Sequence, residues 1–306
     1  MIDIQGDSLS VILGAVPFET DALVDLLDRA RSFAFLDGTF HRGLYGDRAV
    51  IIGSTGLGKV NAAITTSALL ERFPVEMVWN AGCAGAFREG PLGVGDVLVT
   101  LNAICGDEGV LTRDRILPST HIGIPVLTDG KEKYFDHIPL SRPSRQLVLE
   151  KIMRLTPEGL YRQTGSDRFA AQSCPEEVRE CGGIPSLEAT HGTAAPGEIP
   201  AHPPDCAASE DNPSAIFRLR YGPGLTVGMV SGDIEVARNR FLRYGAYAEN
   251  MEGSAVAQAC FRFGVPMVEC RGISNMAGNR NKTDWHLEDA ISHCHGIILN
   301  WLRGLA

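Results

Sequence analysis

The chain predicts a three-layer α/β sandwich, with a central mixed, largely parallel sheet between helical layers, in one domain over residues 1–306. Three observations carry this. Short runs rich in Val, Ile and Leu recur, and glycines follow them. Segments of helical period lie between those runs. The 306 residues are 44% apolar, enough for one large core.

Leu9–Val16 is the first run and reads as a buried strand. Thr20–Ala30 places Leu23, Leu26 and Leu27 at helical spacing and predicts a helix. Ala49–Ser54 is the second strand, and GSTGLGKV (53–60) follows it. Val60–Leu70, rich in Ala and Leu with Asn61 and threonines on its other side, predicts the next helix. Val75–Ala81, Asp96–Ile104, Leu225–Val230 and Met267–Ile273 are further strands. Met251–Phe263 and Trp285–Leu302 complete the helices. Between Thr156 and Ser214, Pro, Gly, Ala, Ser and acids dominate and no apolar period survives. Such a segment buries too little apolar surface to offset its ordering entropy, so residues 156–214 read as a flexible insertion. It holds Cys174, Cys181, Cys206, His191 and His202, whose spacings match none of the common zinc patterns, so no metal site is expected. His293 and His295, two apart on a helix, point to different faces and make a poor metal pair.

Charge and hydropathy narrow the partners. A net charge of −9 argues against a nucleic-acid surface, which needs clustered Lys and Arg. No run approaches the length of a membrane span. The first residues, MIDIQGDSLSVILGAV, carry acids where a signal peptide needs bases. A cytoplasmic protein with cysteines kept as thiols is expected. GSTGLGKV fits the first seven letters of the phosphate-cradling pattern G-x-x-x-x-G-K, but Val60 stands where that loop needs a hydroxyl for magnesium.

Four segments, in this order, resemble the nucleoside phosphorylase and nucleosidase superfamily. They are ILGAVPFET (12–20), GSTGLGKVNAA (53–63), NAGCAGAF (80–87) with GVGDVLV (93–99), and AENMEGSAVAQAC (248–260) followed by VPMVECRGISN (265–275). The closest likeness is to methylthioadenosine/S-adenosylhomocysteine nucleosidases and futalosine hydrolases. It covers residues 9–105 and 221–300. In this family the turn at Gly56, Gly58 and Lys59 joins a strand to a helix and holds no triphosphate, so Val60 is no defect.

The resemblance also implies roles. Glu19, just past the first strand, would activate water as general base; read without the resemblance, it is a helix-start acid. Glu252 in NMEGSA would accept hydrogen bonds from the ribose hydroxyls and face the positive charge that builds on the sugar; without the resemblance it is a first-turn acid. Met251 would pack on the sugar. Cys83, Ala84 and Gly85 would floor the site, with Cys83 as a small thiol and not a nucleophile. SGD (231–233) also matches, but Ile234, Glu235 and Val236 lack the aromatic that stacks on adenine in some relatives, leaving Val236 as a candidate base wall. Asn275 stands in Ile-Ser-Asn where the methylthioadenosine enzymes have Ile-Ser-Asp. An amide pairs one acceptor with one donor and matches N7–H and O6 of hypoxanthine. An Asn also pairs with unprotonated adenine, so this assignment rests on complementarity to the transition state. The expected reaction is hydrolysis of futalosine to hypoxanthine and dehypoxanthine futalosine on a menaquinone route, with water as nucleophile and no cofactor. The rivals are a methylthioadenosine/S-adenosylhomocysteine nucleosidase, a phosphorylase (disfavoured because GAVPFE lacks the arginine-bearing phosphate turn), and a non-catalytic purine binder. A homo-oligomer, dimer or larger, is implied.

Overall fold

The computed structural model describes residues 9–113, 116–165, 168–171 and 216–304. In chain order it contains β1 (Leu9–Gly14), a 3-10 turn at Pro17–Glu19, α1 (Asp21–Val24), β2 (Asp28–Phe35), β3 (Gly38–Tyr45) and β4 (Arg48–Ser54). There follow α2 (Lys59–Arg72), β5 (Val75–Ala86) and β6 (Val97–Cys105). Two small hairpins come next, β7 (Gly109–Leu111) with β8 (Ile116–Pro118) and β9 (Leu127–Asp129) with β10 (Glu132–Tyr134). The chain then runs through β11 (His137–Pro139), α3 (Gln146–Leu155), β12 (Gly159–Gly165), β13 (Arg168–Ala171) and β14 (Ile216–Thr226). It closes with α4 (Ile234–Tyr244), β15 (Ala248–Asn250), α5 (Gly253–Phe263), β16 (Met267–Met276) and α6 (Leu287–Gly304).

The main sheet runs β13-β12-β14-β6-β16-β5-β1-β4-β3-β2. The pairings β4–β1, β1–β5, β5–β16 and β6–β14 are parallel, β6–β16 is antiparallel, and both edges are antiparallel. The sheet is therefore mixed with a largely parallel centre, as the buried Val/Ile runs imply. Alternate residues of the central strands serve opposite layers. Ile12, Val50, Ile52 and Trp79 pack with Ile298 and Trp301 of α6, where the two indoles stack at 5.7 Å. Val11, Leu13, Ile51 and Val78 pack with Ala62 and Leu69 of α2 and Val256 and Cys260 of α5. Among the described residues, no helix is long and apolar enough to cross a membrane.

Three boundaries differ from expectation. The helix expected over Thr20–Ala30 shrinks to α1, and Asp28 onward becomes an edge strand. Only Leu23 and Leu27 of its stripe are buried; Leu26 is exposed, and Phe33 and Phe35 of β2 pack on Phe40 and Phe73 instead. The strand expected over Leu225–Val230 ends at Thr226 and begins nine residues earlier, at Ile216. Its register is set by alternation of Phe217, Leu219 and Tyr221 into the core. Within the range 156–214 expected as an insertion, β12 pairs with β14, which follows that range, and Tyr161 stacks on Phe217 at 5.8 Å. Residues 172–215, with the conceivable zinc set, lie outside the described residues.

Candidate active site

Strands β1, β5 and β16 run parallel as neighbours. Their C-terminal ends therefore open on one edge of the sheet, where α/β proteins bind ligands. After Gly14 the chain turns through Ala15–Val16 into the short Pro17–Glu19 helix, and Glu19 folds back over the strand end. Its Oε2 accepts from the Ala15 and Val16 amides at 2.7 and 3.4 Å, and its Oε1 accepts from the Cys83 amide at 2.9 Å. Gly14 is required there, since a Cβ would meet the Glu19 Cβ at 2.9 Å. From behind, His295 Nε2 donates to the Glu19 carbonyl at 2.8 Å, and burial holds its imidazole pKa below the ordinary range. His293 bonds instead to the Gly95 carbonyl, so the two histidines serve different elements.

Glu252 ends the turn between β15 and α5 and is buried. Its Oε1 accepts from the Gly58 amide at 2.9 Å. Gly58, at φ +90°, sits at the N-terminus of α2, so the glycine-rich turn delivers a backbone donor to a carboxylate. Lys59 is spent on Asp107 (2.5 Å) and Glu108 (3.3 Å), not on a phosphate site.

A cation joins the two acids. Arg271 on β16 is almost fully buried, with its Nη2 4.0 Å from Glu252 Oε2 and 2.9 Å from Glu269 Oε1. Its Nη1 lies on the same side of Gly82 as Glu19 Oε1; a Cβ on Gly82 would meet these atoms at 2.5 and 2.6 Å. Asn80 and Asn250 donate to Glu269 at 3.2 Å each. Sequence reasoning missed Arg271, Glu269, Asn80 and Asn250. The signal was present: charges inside a continuous buried strand, MVECRGIS, are stable only when paired.

The residues expected at the floor and at the base end follow. Cys83 Sγ lies 3.4 Å from Glu19 Oε1, and burial, then the Glu19 charge, pushes its thiol up to about 12. It is a thiol at neutral pH and cannot serve as a thiolate nucleophile. Ala84 is buried, and Gly85 lies against Asn275, whose Nδ2 would be 3.4 Å from a Cβ there. Asn275 Oδ1 accepts from Ser274 Oγ at 2.9 Å, and its Nδ2 donates to the Met276 carbonyl at 3.0 Å. Met251 is half-buried beside Glu252. Val236 stands apart in the exposed first turn of α4, which reaches this end through the Asp233 backbone packed on Gly278. Among the described residues, no group of three or more His, Cys, Asp or Glu could hold a metal. A cleft of about 310 Å³ lies elsewhere, where Arg142 donates to the Phe261 and Arg262 carbonyls at the end of α5.

A sequence model described as the phosphorylase superfamily matches residues 10–303. The chain belongs to the phosphorylase superfamily. Within the superfamily it is 31% identical to the futalosine hydrolase of Thermus thermophilus, over 85% of this chain and 82% of that protein. It is 26% identical to the 5'-methylthioadenosine/S-adenosylhomocysteine nucleosidase of Bacillus pumilus, over 95% of this chain and 97% of the relative. The fold matches the solved nucleosidase of Colwellia psychrerythraea in complex with adenine, at TM-score 0.67 and 21% identity, covering 98% of this chain and 96% of the other. It also matches futalosine hydrolase of Helicobacter pylori, at TM-score 0.64 and 17% identity, covering 97% and 98%.

Proposed function

We propose that this phosphorylase-superfamily protein hydrolyses the N-glycosidic bond of a purine nucleoside, and that the nucleoside is futalosine, released as hypoxanthine and dehypoxanthine futalosine in menaquinone biosynthesis. Glu19, lodged at the sheet mouth, takes a proton from the attacking water. Glu252 accepts from the ribose hydroxyls and faces the charge that grows on the sugar as the bond breaks. Arg271 stands between the two acids and favours the ionised form of Glu252. Met251 lies against the sugar, Cys83, Ala84 and Gly85 form the floor, and Val236 borders the base.

The observation that carries the choice of base is the state of Asn275. With Ser274 and Met276 bonded, its carboxamide keeps one N–H and one acceptor lone pair. That pair suits O6 and N7–H of hypoxanthine leaving protonated at N7. The Thermus thermophilus relative supports the same reading by its identity to this chain. A second reading, cleavage of methylthioadenosine or S-adenosylhomocysteine, is favoured by the fuller coverage of the Bacillus pumilus relative. Incubation with futalosine, inosine and methylthioadenosine in phosphate-free buffer and again with added phosphate, with the free base read by chromatography, tests both. Hypoxanthine from futalosine is the expected result. Adenine from methylthioadenosine alone gives the second reading, and release that requires phosphate points to a phosphorylase.

A pH dependence follows from Glu252. Burial raises its pKa above the usual carboxylate value, against the opposing pull of Arg271 and the Gly58 amide, while Glu19 and Glu269 add to the rise. A folded-state pKa above the unfolded one means that the folded state binds this proton more tightly. This stabilisation is full below the unfolded pKa and is lost as pH rises through the folded one. Activity needs the ionised form. The acid limb of kcat/KM for the preferred nucleoside is therefore expected above the ordinary carboxylate range, while stability gains from this group as the enzyme loses activity. A limb at or below the usual glutamate pKa would remove Glu252 as the group that controls it.

A further inference from the structure

We infer that Glu269 is a positioning residue for the hydrolysis, holding the Arg271 guanidinium off Glu252 so that one cation serves both working carboxylates. The inference rests on the roles proposed for Glu19 and Glu252. Glu269 and Arg271 are two apart on β16, so their side chains leave the same face of the sheet. Glu269 is fully buried, and its bonds converge on one oxygen. Oε1 accepts from Arg271 Nε at 2.9 Å and from Asn80 and Asn250 Nδ2 at 3.2 Å each, and lies 2.9 Å from Arg271 Nη2. The asparagines come from β5 and β15, so three strands fix that oxygen. Gly253 makes room for it, because a Cβ there would overlap the carboxylate.

The Nε/Nη2 edge of the guanidinium is thus turned to Glu269. Its Nη2 stops at 4.0 Å from Glu252 Oε2, beyond hydrogen-bond length. Its Nη1 is left beside Gly82 with Glu19 Oε1. Without the charge of Glu269, attraction would draw the guanidinium into direct contact with Glu252 or Glu19. A guanidinium bonded there takes up a lone pair of that oxygen and weakens what it offers to a sugar hydroxyl or to a proton of water.

Glu269→Gln separates charge from packing. The amide oxygen can accept every bond now made by Oε1. The amide nitrogen takes the place of Oε2, which has no hydrogen-bond partner and flanks Gly224 together with the equally unpartnered Thr100 Oγ1. The fold is expected to hold. On the nucleoside that the unmodified enzyme cleaves, futalosine or methylthioadenosine, kcat is expected to fall about tenfold or more, the loss typical of displaced catalytic groups. Affinity for the free purine base, read at Asn275, is expected to stay within about twofold. The groups that face Glu252 are Arg271, Glu19, Glu269 and the Gly58 amide. Removing the charge of Glu269 and admitting Arg271 both favour ionised Glu252, so the acid limb of kcat/KM is expected to move to lower pH. Unchanged kcat, or a loss that tracks the unfolded fraction with the limb unmoved, overturns the inference. Should Glu269→Gln fail to fold, Glu269→Asp keeps the ion pair but draws Arg271 back by about one methylene. It is expected to lose kcat with base affinity intact, and wild-type kcat there overturns the inference equally. An inactive Glu19→Gln beside a fully active Glu269 variant would sink this inference alone. A fully active Glu19→Gln would sink the proposed roles themselves.

Discussion

Glu19→Gln is expected to lower turnover by at least about two orders of magnitude, the usual scale for a general base. The carboxylate is held by three backbone amides, those of Ala15, Val16 and Cys83, so it is aimed before substrate arrives. A glutamine can present its oxygen to only one side of that cradle. Its NH2 then faces either the Ala15 amide or the Cys83 amide, a donor against a donor. The cost of such a mismatch is about 1–3 kcal/mol, small enough for the fold to survive. The base subsite proposed at Asn275 draws on other groups, so affinity for free hypoxanthine should be retained. Single-turnover kinetics with calorimetric binding of the free base separate the two effects. Near-normal turnover in a folded Glu19→Gln protein would remove this residue from the chemistry.

Asn275→Asp is expected to shift the ratio of kcat/KM for paired 6-oxo and 6-amino nucleosides by about one to two orders of magnitude towards the amino substrate, with lower total activity. An unpaired polar group in a closed site costs about 1–3 kcal/mol, which sets that scale. The amide now donates to the Met276 carbonyl at 3.0 Å and accepts from Ser274 Oγ at 2.9 Å. A carboxylate keeps the second bond, but it sets an oxygen against the Met276 carbonyl, which accounts for the general loss. When ionised it also faces O6 of hypoxanthine with negative charge, while the N7–H and amino donors of adenine both suit it. The two substrates must carry the same 5' group, so that only the base differs. A ratio left unchanged would mean that Asn275 does not read the base, and the futalosine assignment would lose its main physical support.

Local patterns in the chain determined much of this protein by themselves. The apolar runs of β1, β4, β5 and β16, and the helical periods of α2, α5 and α6, follow from short-range spacing, because burial of one face or of both depends only on neighbours along the chain. Glu19, Glu252 and Asn275 were singled out through the family resemblance of the short segments that hold them, and their roles here are proposals. Tertiary structure decided the rest. Leu23, Leu26 and Leu27 fit a helix locally, yet pairing of β2 with β3 won, because Phe33 and Phe35 gain an aromatic cluster with Phe40 and Phe73 from distant segments. β12 was hidden in a polar stretch because its stability comes from β14, more than fifty residues away. Arg271 was invisible as a site residue for the same reason. A buried guanidinium tells nothing of its partners until register places Glu269, Asn80, Asn250 and Glu252 around it, and Coulomb attraction in a poorly hydrated core falls to the groups that the fold has brought within a few ångströms.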